Sequence, residues 1–144
     1  MTEHTQQLAM ELMRLQFENP AEIGRLGAML PARGEDNVVF SLHSSNDALL
    51  AGELGERTGL STGRISNILR QLEGKGIVKR LQDELDHRRV HVSLTEAGRA
   101  YAQEMEANAI EAHGALLERL GTNDATELVR ILRRCVASVR DISG

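Results

Sequence analysis

The stretch GELGERTGLSTGRISNILRQLEGKGIVKR, residues 52–80, allows few local structures. Leu50, Leu54 and Arg57 fall within one short helical segment. Gly59 can end it, because glycine tolerates the left-handed backbone of a helix terminus. Ser61 or Thr62 can cap the next helix by accepting a bond from one of its free amides. There Ile65, Ile68, Leu69 and Leu72 recur at i, i+3, i+4 and i+7, the spacing of a stripe turned to a core. Two helices joined through Thr58-Gly59-Leu60 form a helix-turn-helix. Gly76 ends the second helix. Residues 77–81 and 89–93 then read as two strands around a loop of 82–88, a β-hairpin wing. Alternation along the second strand sets Arg89, His91 and Ser93 on one face and Val90, Val92 and Leu94 on the other.

The flanks are helical. Leu8, Leu12 and Leu15 share a face of a helix over 3–18. Asn19 can cap a second segment over about 20–30, with Pro20 at its first position and Glu22 three residues after the cap. PARGEDN (31–37) is expected to be a loop. A short helix then starts at Asp36 or Asn37, carries Val38, Val39, Phe40 and Leu42, and is broken by HSSND (43–47). Thr95 caps a long helix to about Leu120, with a predicted stripe of Tyr101, Met105, Ala109, Ala112 and Leu116. A last helix carries Leu128, Ile131, Leu132, Cys135, Val139 and Ile142. The expected fold is mainly α with a small β-hairpin wing. Helical dimerisation regions (1–34 and 96–144) enclose a winged lobe (35–95).

The 144 residues include 41% hydrophobic but only 2% aromatic residues. The core therefore rests on aliphatic side chains. No apolar run approaches the ~20 residues of a membrane span, and the polar start MTEHTQQ has no signal-peptide pattern. With a single cysteine there is no intrachain disulfide. A cytoplasmic protein is expected. The chain carries net charge −4, yet residues 61–91 hold seven basic groups (Arg64, Arg70, Lys75, Lys79, Arg80, Arg88, Arg89) against four acidic ones, a local +3. A basic island in an acidic body suits local binding to a polyanion.

With its apolar stripe inward, the second helix of the motif turns Gly63, Asn67, Arg70 and Gly74 outward, flanked by Arg64 and Ser66. Such a helix fits a DNA major groove, where Asn can pair with adenine, Arg with guanine, and Ser with base or phosphate. Gly63 lets the backbone come close. Ser61 and Thr62 open the same face. A wing beside the helix brings Arg88 and Arg89 to the adjoining minor groove, whose negative potential attracts arginine. Asp86 can orient a neighbouring arginine. His87 and His91 flank the wing as phosphate contacts.

This constellation resembles the winged helix-turn-helix of MarR-type transcriptional regulators. The matching residues are Ser61, Ile65-Ser66, Leu72-Glu73, Gly76-Ile77-Val78, the Asp-x-Arg of Asp86-His87-Arg88, and Leu94, Thr95 and Gly98 of the Leu-Thr-x-x-Gly pattern. The close match covers roughly residues 50–100. The resemblance implies a homodimer whose terminal helices interlock and whose two recognition helices meet successive major grooves of a pseudo-palindromic operator. It assigns Arg88 to the minor groove, and it implies a small-molecule effector and repression. The chain departs from the family at Asn19-Pro20, which interrupts what is commonly one longer helix. It also departs at Ala51-Gly52, in place of a Ser/Thr cap, and at Gly74.

No enzyme is expected: the sequence has no phosphate-cradling glycine loop, no nucleophile with a base motif and no metal-ligand cluster. No cofactor is implied. Cys135, on an apolar stripe, is expected to be packing rather than a redox sensor. No two histidines lie four apart on one helix, and His113 is expected to be structural. The alternative function is a winged-helix module that binds protein, which should show an exposed apolar patch where DNA would otherwise lie.

Overall fold

A computed structural model describes residues 1–25, 34–45 and 48–143. The elements run α1 (Glu3–Glu18), α2 (Pro20–Arg25), α3 (Gly34–Ser45), β1 (Leu49–Leu50), α4 (Ala51–Thr58), α5 (Thr62–Gly74), β2 (Val78–Gln82), β3 (Val90–Leu94), α6 (Glu96–Leu120) and α7 (Thr122–Ser143). They form two compact units, Met1–Pro31 with Met105–Gly144, and Ala32–Glu104.

In the winged unit, α3 is buried from Asn37 to Leu42 without a break, as befits a helix covered on all sides. It starts at Gly34, earlier than the expected Asp36 or Asn37, so the end of PARGEDN is helical and not loop. It also continues through His43-Ser44-Ser45, where the Ser44 and Ser45 hydroxyls donate back to the Ser41 and Leu42 carbonyls. Residues 31–33 and Asn46-Asp47 lie outside the described residues. Leu50 extends β1 and does not begin the helix: β1 pairs with β3 through Leu49↔Val92 and Leu50↔His91. This two-residue strand was missed because it is too short to alternate. The start of α4, without a Ser or Thr cap, is held by the Glu53 carboxylate accepting the Leu50 amide at 3.0 Å.

Gly59 ends α4 at φ 72°. Thr58 fixes the turn, its hydroxyl donating to the Leu54 carbonyl at 2.6 Å and accepting the Leu60 amide at 3.3 Å. The Ser61 hydroxyl caps α5, accepting the Arg64 amide at 3.2 Å. At the other end Gly76, φ 75°, lets the Ile77 amide reach the Leu72 carbonyl at 2.9 Å. This bond draws Ile77 into the helix terminus, so both strands begin one residue later than expected. The sheet order is β1-β3-β2, antiparallel. Val92 and Leu94 are buried, so the valine face of β3 packs inward as the alternation requires.

The Thr95 hydroxyl accepts the Gly98 amide at 2.9 Å, capping α6, and donates to the Gly76 carbonyl at 2.5 Å. Gly98 sits against the Ile77 carbonyl: a Cβ there would fall well inside contact with its oxygen and 2.9 Å from its carbon. The glycine of the Leu-Thr-x-x-Gly pattern is thus a close-approach residue.

In the helical unit, Leu8, Ala9 and Leu12 of α1 pack with Leu117 of α6 and Ala125, Val129 and Leu132 of α7. Both expected stripes are displaced. On α6, Ala112 and Leu116 are exposed, and Gly114 and Leu117 are buried. On α7 the buried line is Ala125, Val129, Leu132 and Val136, whereas Ile131 and Ile142 are 44% and 86% exposed. Cys135 is half-buried. Alanines mark a helix face weakly, and the inward-facing His113 and Gly114 concealed the phase of α6. At the α1–α2 junction Asn19 donates to the Leu15 carbonyl at 3.1 Å, and Glu22 pairs with Arg140 at 3.4 Å. Glu22 therefore ties α2 to α7, where a reciprocal cap with Asn19 had been expected. The expected extension of this segment to residue 30 lies outside the described residues.

His113 is structural, its Nε2 lying 3.0 Å from the Gln16 side-chain oxygen. Burial lowers its pKa from 6.5. The unfolded chain then binds the proton more readily, so stability falls as pH drops through 6.5 and levels off below the folded-state value. Melting temperatures measured from pH 7.5 to 5 should show that His113→Gln lacks this part of the decline; an unchanged slope would contradict the assignment.

Candidate nucleic-acid interface

The α5 side chains divide cleanly. Ile65, Ile68, Leu69 and Leu72 are at most 2% exposed, and Ser61, Thr62, Gly63, Arg64, Ser66, Asn67 and Arg70 are all exposed. A Cβ at Gly63 would meet nothing within 4 Å. The fold therefore makes no demand for glycine there, and the residue leaves the backbone open to an approaching surface. Ser61 spends its acceptor on the cap, which leaves its hydroxyl proton free to donate outward.

The wing turn is built by acidic side chains. Asp83 Oδ1 accepts the amides of Leu85 at 2.9 Å and Asp86 at 3.2 Å, and Oδ2 lies 3.0 Å from His91 Nε2. The His91 bond, followed by the two amides, lowers the Asp83 pKa from 3.8 to about 2. The clamp therefore stays charged down to strongly acidic pH. Asp86 holds Arg88, accepting its amide at 3.1 Å and its Nε at 3.2 Å, while the Arg88 side chain remains 92% exposed. The acidic residue two before the arginine orients it, as the Asp-x-Arg spacing suggested. Arg89 is exposed. Among the described residues it forms no ion pair with the neighbouring Glu84. His87 is exposed, and its carbonyl accepts the Gln82 amide side chain at 2.6 Å. His91 is committed to Asp83 and is not a free phosphate contact.

The basic island is smaller than the count of seven. Lys75 pairs with Glu35 at 3.2 Å, and Arg80 makes a two-pronged pair with Glu73 at 2.8 and 3.3 Å. Among the described residues, Arg64, Arg70, Lys79 and Arg89 are exposed with no ion pair, and Arg88 is exposed with its side chain aligned by Asp86. Sequence reading missed both pairs, which join residues 40 and seven positions apart. It also missed Leu81 and Leu85, exposed at 72% and 98%.

With this geometry in view, residues 37–89 match the family model described as MarR family. The lobe is a MarR-family winged helix-turn-helix. The HTH-type transcriptional regulator SarZ of Staphylococcus aureus is 27% identical over 106 residues, covering 74% of this chain and 70% of SarZ. A crystal structure of MarR superposes with TM-score 0.63 at 26% identity, over 92% of this chain and 90% of MarR. The S. aureus MepR–DNA complex does so with TM-score 0.63 at 19% identity, over 89% and 93%. At that identity the second likeness establishes the fold. The MarR-family lobe spans α3 through the wing, where the exposed polar side chains described above are presented.

Proposed function

We propose that this chain is a sequence-specific DNA-binding transcriptional regulator, a ligand-responsive repressor that acts in the cytoplasm as a homodimer on a pseudo-palindromic operator. One observation carries the reading. The outward face of α5 presents polar and basic side chains while its apolar stripe is buried, and the wing loop presents Arg88 and Arg89 to solvent beside the exposed Leu85. SarZ is named a transcriptional regulator and MepR was solved with DNA, which supports the same role for this lobe. In this reading α5 enters the major groove, Asn67 and Arg70 read bases, and Ser66 and Arg64 assist. Ser61, Thr62 and Gly63 lie against the backbone at the helix start. Arg88 enters the minor groove, and His87 and Arg89 meet phosphate. Leu116, Leu120 and Ile131, 46%, 39% and 44% exposed, supply apolar surface on the terminal helices for a second copy. The effector would bind one arrangement of the dimer better than another and shift its population.

DNA selected from a random pool by the purified protein tests this. The selected sequences should contain two half-sites about 10 bp apart, one helical turn. Arg70→Ala should cost roughly 1–3 kcal/mol and relax preference at one position of each half-site. Equal weakening on selected and random DNA would make Arg70 a phosphate contact.

The exposed Leu81 and Leu85 favour a second reading, a wing that docks on protein. Leu81→Ser and Leu85→Ser would then abolish binding to a partner protein without changing DNA affinity.

A further inference from the structure

Strand β2 carries Arg80 and Gln82 two residues apart, hence on one face. Arg80 grips the last turn of α5 through Glu73, with Nη2 at 2.8 Å and Nε at 3.3 Å from its two oxygens. Gln82 grips the wing loop, its Nε2 donating to the His87 carbonyl at 2.6 Å. The next residue is Arg88, whose amide and Nε are both held by Asp86. A polar line therefore runs from the end of the recognition helix, along one strand face, to the base of the wing arginine. Glu73 is otherwise poorly placed: a carboxylate in the last turn opposes the helix dipole, and an anion beside the basic face opposes DNA. Its pKa is nevertheless lowered, chiefly by the Arg80 hydrogen bond.

We propose that Glu73, Arg80 and Gln82 form a strut that fixes the reach of the wing relative to the recognition helix. They are positioning residues, acting on DNA recognition through the placement of Arg88. The strut rests on the proposed DNA-binding role, but its mechanical part can be tested without DNA.

Glu73→Gln separates positioning from charge, because the two predict opposite signs. Removing a negative charge near the basic face should by itself tighten all DNA binding. A broken strut should weaken operator binding specifically. The ratio of operator to random-DNA affinity is expected to fall about tenfold, the swap Glu73→Arg with Arg80→Glu to recover most of it, and Arg88→Ala to cost less in the Glu73→Gln background. In the DNA-free protein, hydrogen exchange should quicken several-fold at the Asp83 and Arg89 amides, whose bonds close the wing (Asp83 N to the Arg89 carbonyl, Arg89 N to the Asp86 carbonyl, both 2.9 Å), with the α5 amides unchanged. Unchanged wing exchange in Glu73→Gln overturns the strut whether or not DNA binds. An affinity that rises equally on operator and random DNA also overturns it, leaving Glu73 as a charge alone. Quickened wing exchange in a protein that fails to distinguish any DNA upholds the strut and sinks the DNA-binding role.

Discussion

Gly98→Ala should destabilise the protein by about 3 kcal/mol, the upper end of what one added methyl costs in a close-packed site. The usual relief, rotation of a neighbouring side chain, is closed here, because the group in the way is the Ile77 backbone carbonyl. That carbonyl also accepts the Thr95 amide at 3.0 Å, and the Thr95 hydroxyl binds the Gly76 carbonyl and caps α6. Moving Ile77 aside would break the join between the start of β2 and the start of α6, leaving half-buried polar groups unpaired. For a chain of this length the melting temperature should fall on the order of 10 °C. Thermal unfolding of Gly98→Ala beside Gly63→Ala is the decisive pair. Gly63 has open space around it, so alanine there should be neutral or stabilising, since glycine costs a helix interior about 1 kcal/mol. Similar melting temperatures for Gly98→Ala and the unaltered protein would refute the close approach.

Arg88→Ala should reduce operator affinity by roughly 1–3 kcal/mol, about five- to 150-fold, with the fold intact. Its side chain is 92% exposed, so nothing in the core depends on it. Asp86 already holds its Nε, so the ordering cost of placing it in a groove is partly met before DNA arrives. The loss should be largest on operators with A·T-rich flanks, whose narrow minor groove attracts arginine most strongly. Arg89→Ala should cost less and depend little on flank sequence, as for a phosphate contact. Binding isotherms for both variants on A·T-rich and G·C-rich flanks decide between them; a larger, flank-dependent loss for Arg89→Ala would reverse the roles.

The winged unit was legible where chemistry is local. Gly59 and Gly76 fixed two helix ends, Ser61 and Thr95 fixed two starts, and the Ile65–Leu72 stripe assigned both faces of α5. What stayed hidden depends on partners far along the chain. Strand β1 exists only because β3 offers it a ladder. The ion pairs of Lys75 and Arg80 need the fold to bring Glu35 and Glu73 within reach, and they withdraw two cations from the surface that composition alone made basic. In the terminal helices, alanine gave too weak a signal to phase α6, and α7 has apolar residues on more than one side, so its stripe was placed off the buried line. Ile131, Leu116 and Leu120, read as part of an inner stripe or passed over, are exposed in the single chain and form the surface assigned here to a second copy.

The most direct measurement of the DNA-binding role is competitive binding of the selected duplex against a scrambled duplex of equal length and base composition, across a salt series. The selected duplex should bind at least on the order of 10³-fold more tightly at physiological salt, and the logarithm of both affinities should fall linearly with the logarithm of salt concentration. Equal affinity for the two duplexes, or an affinity indifferent to salt, would contradict it.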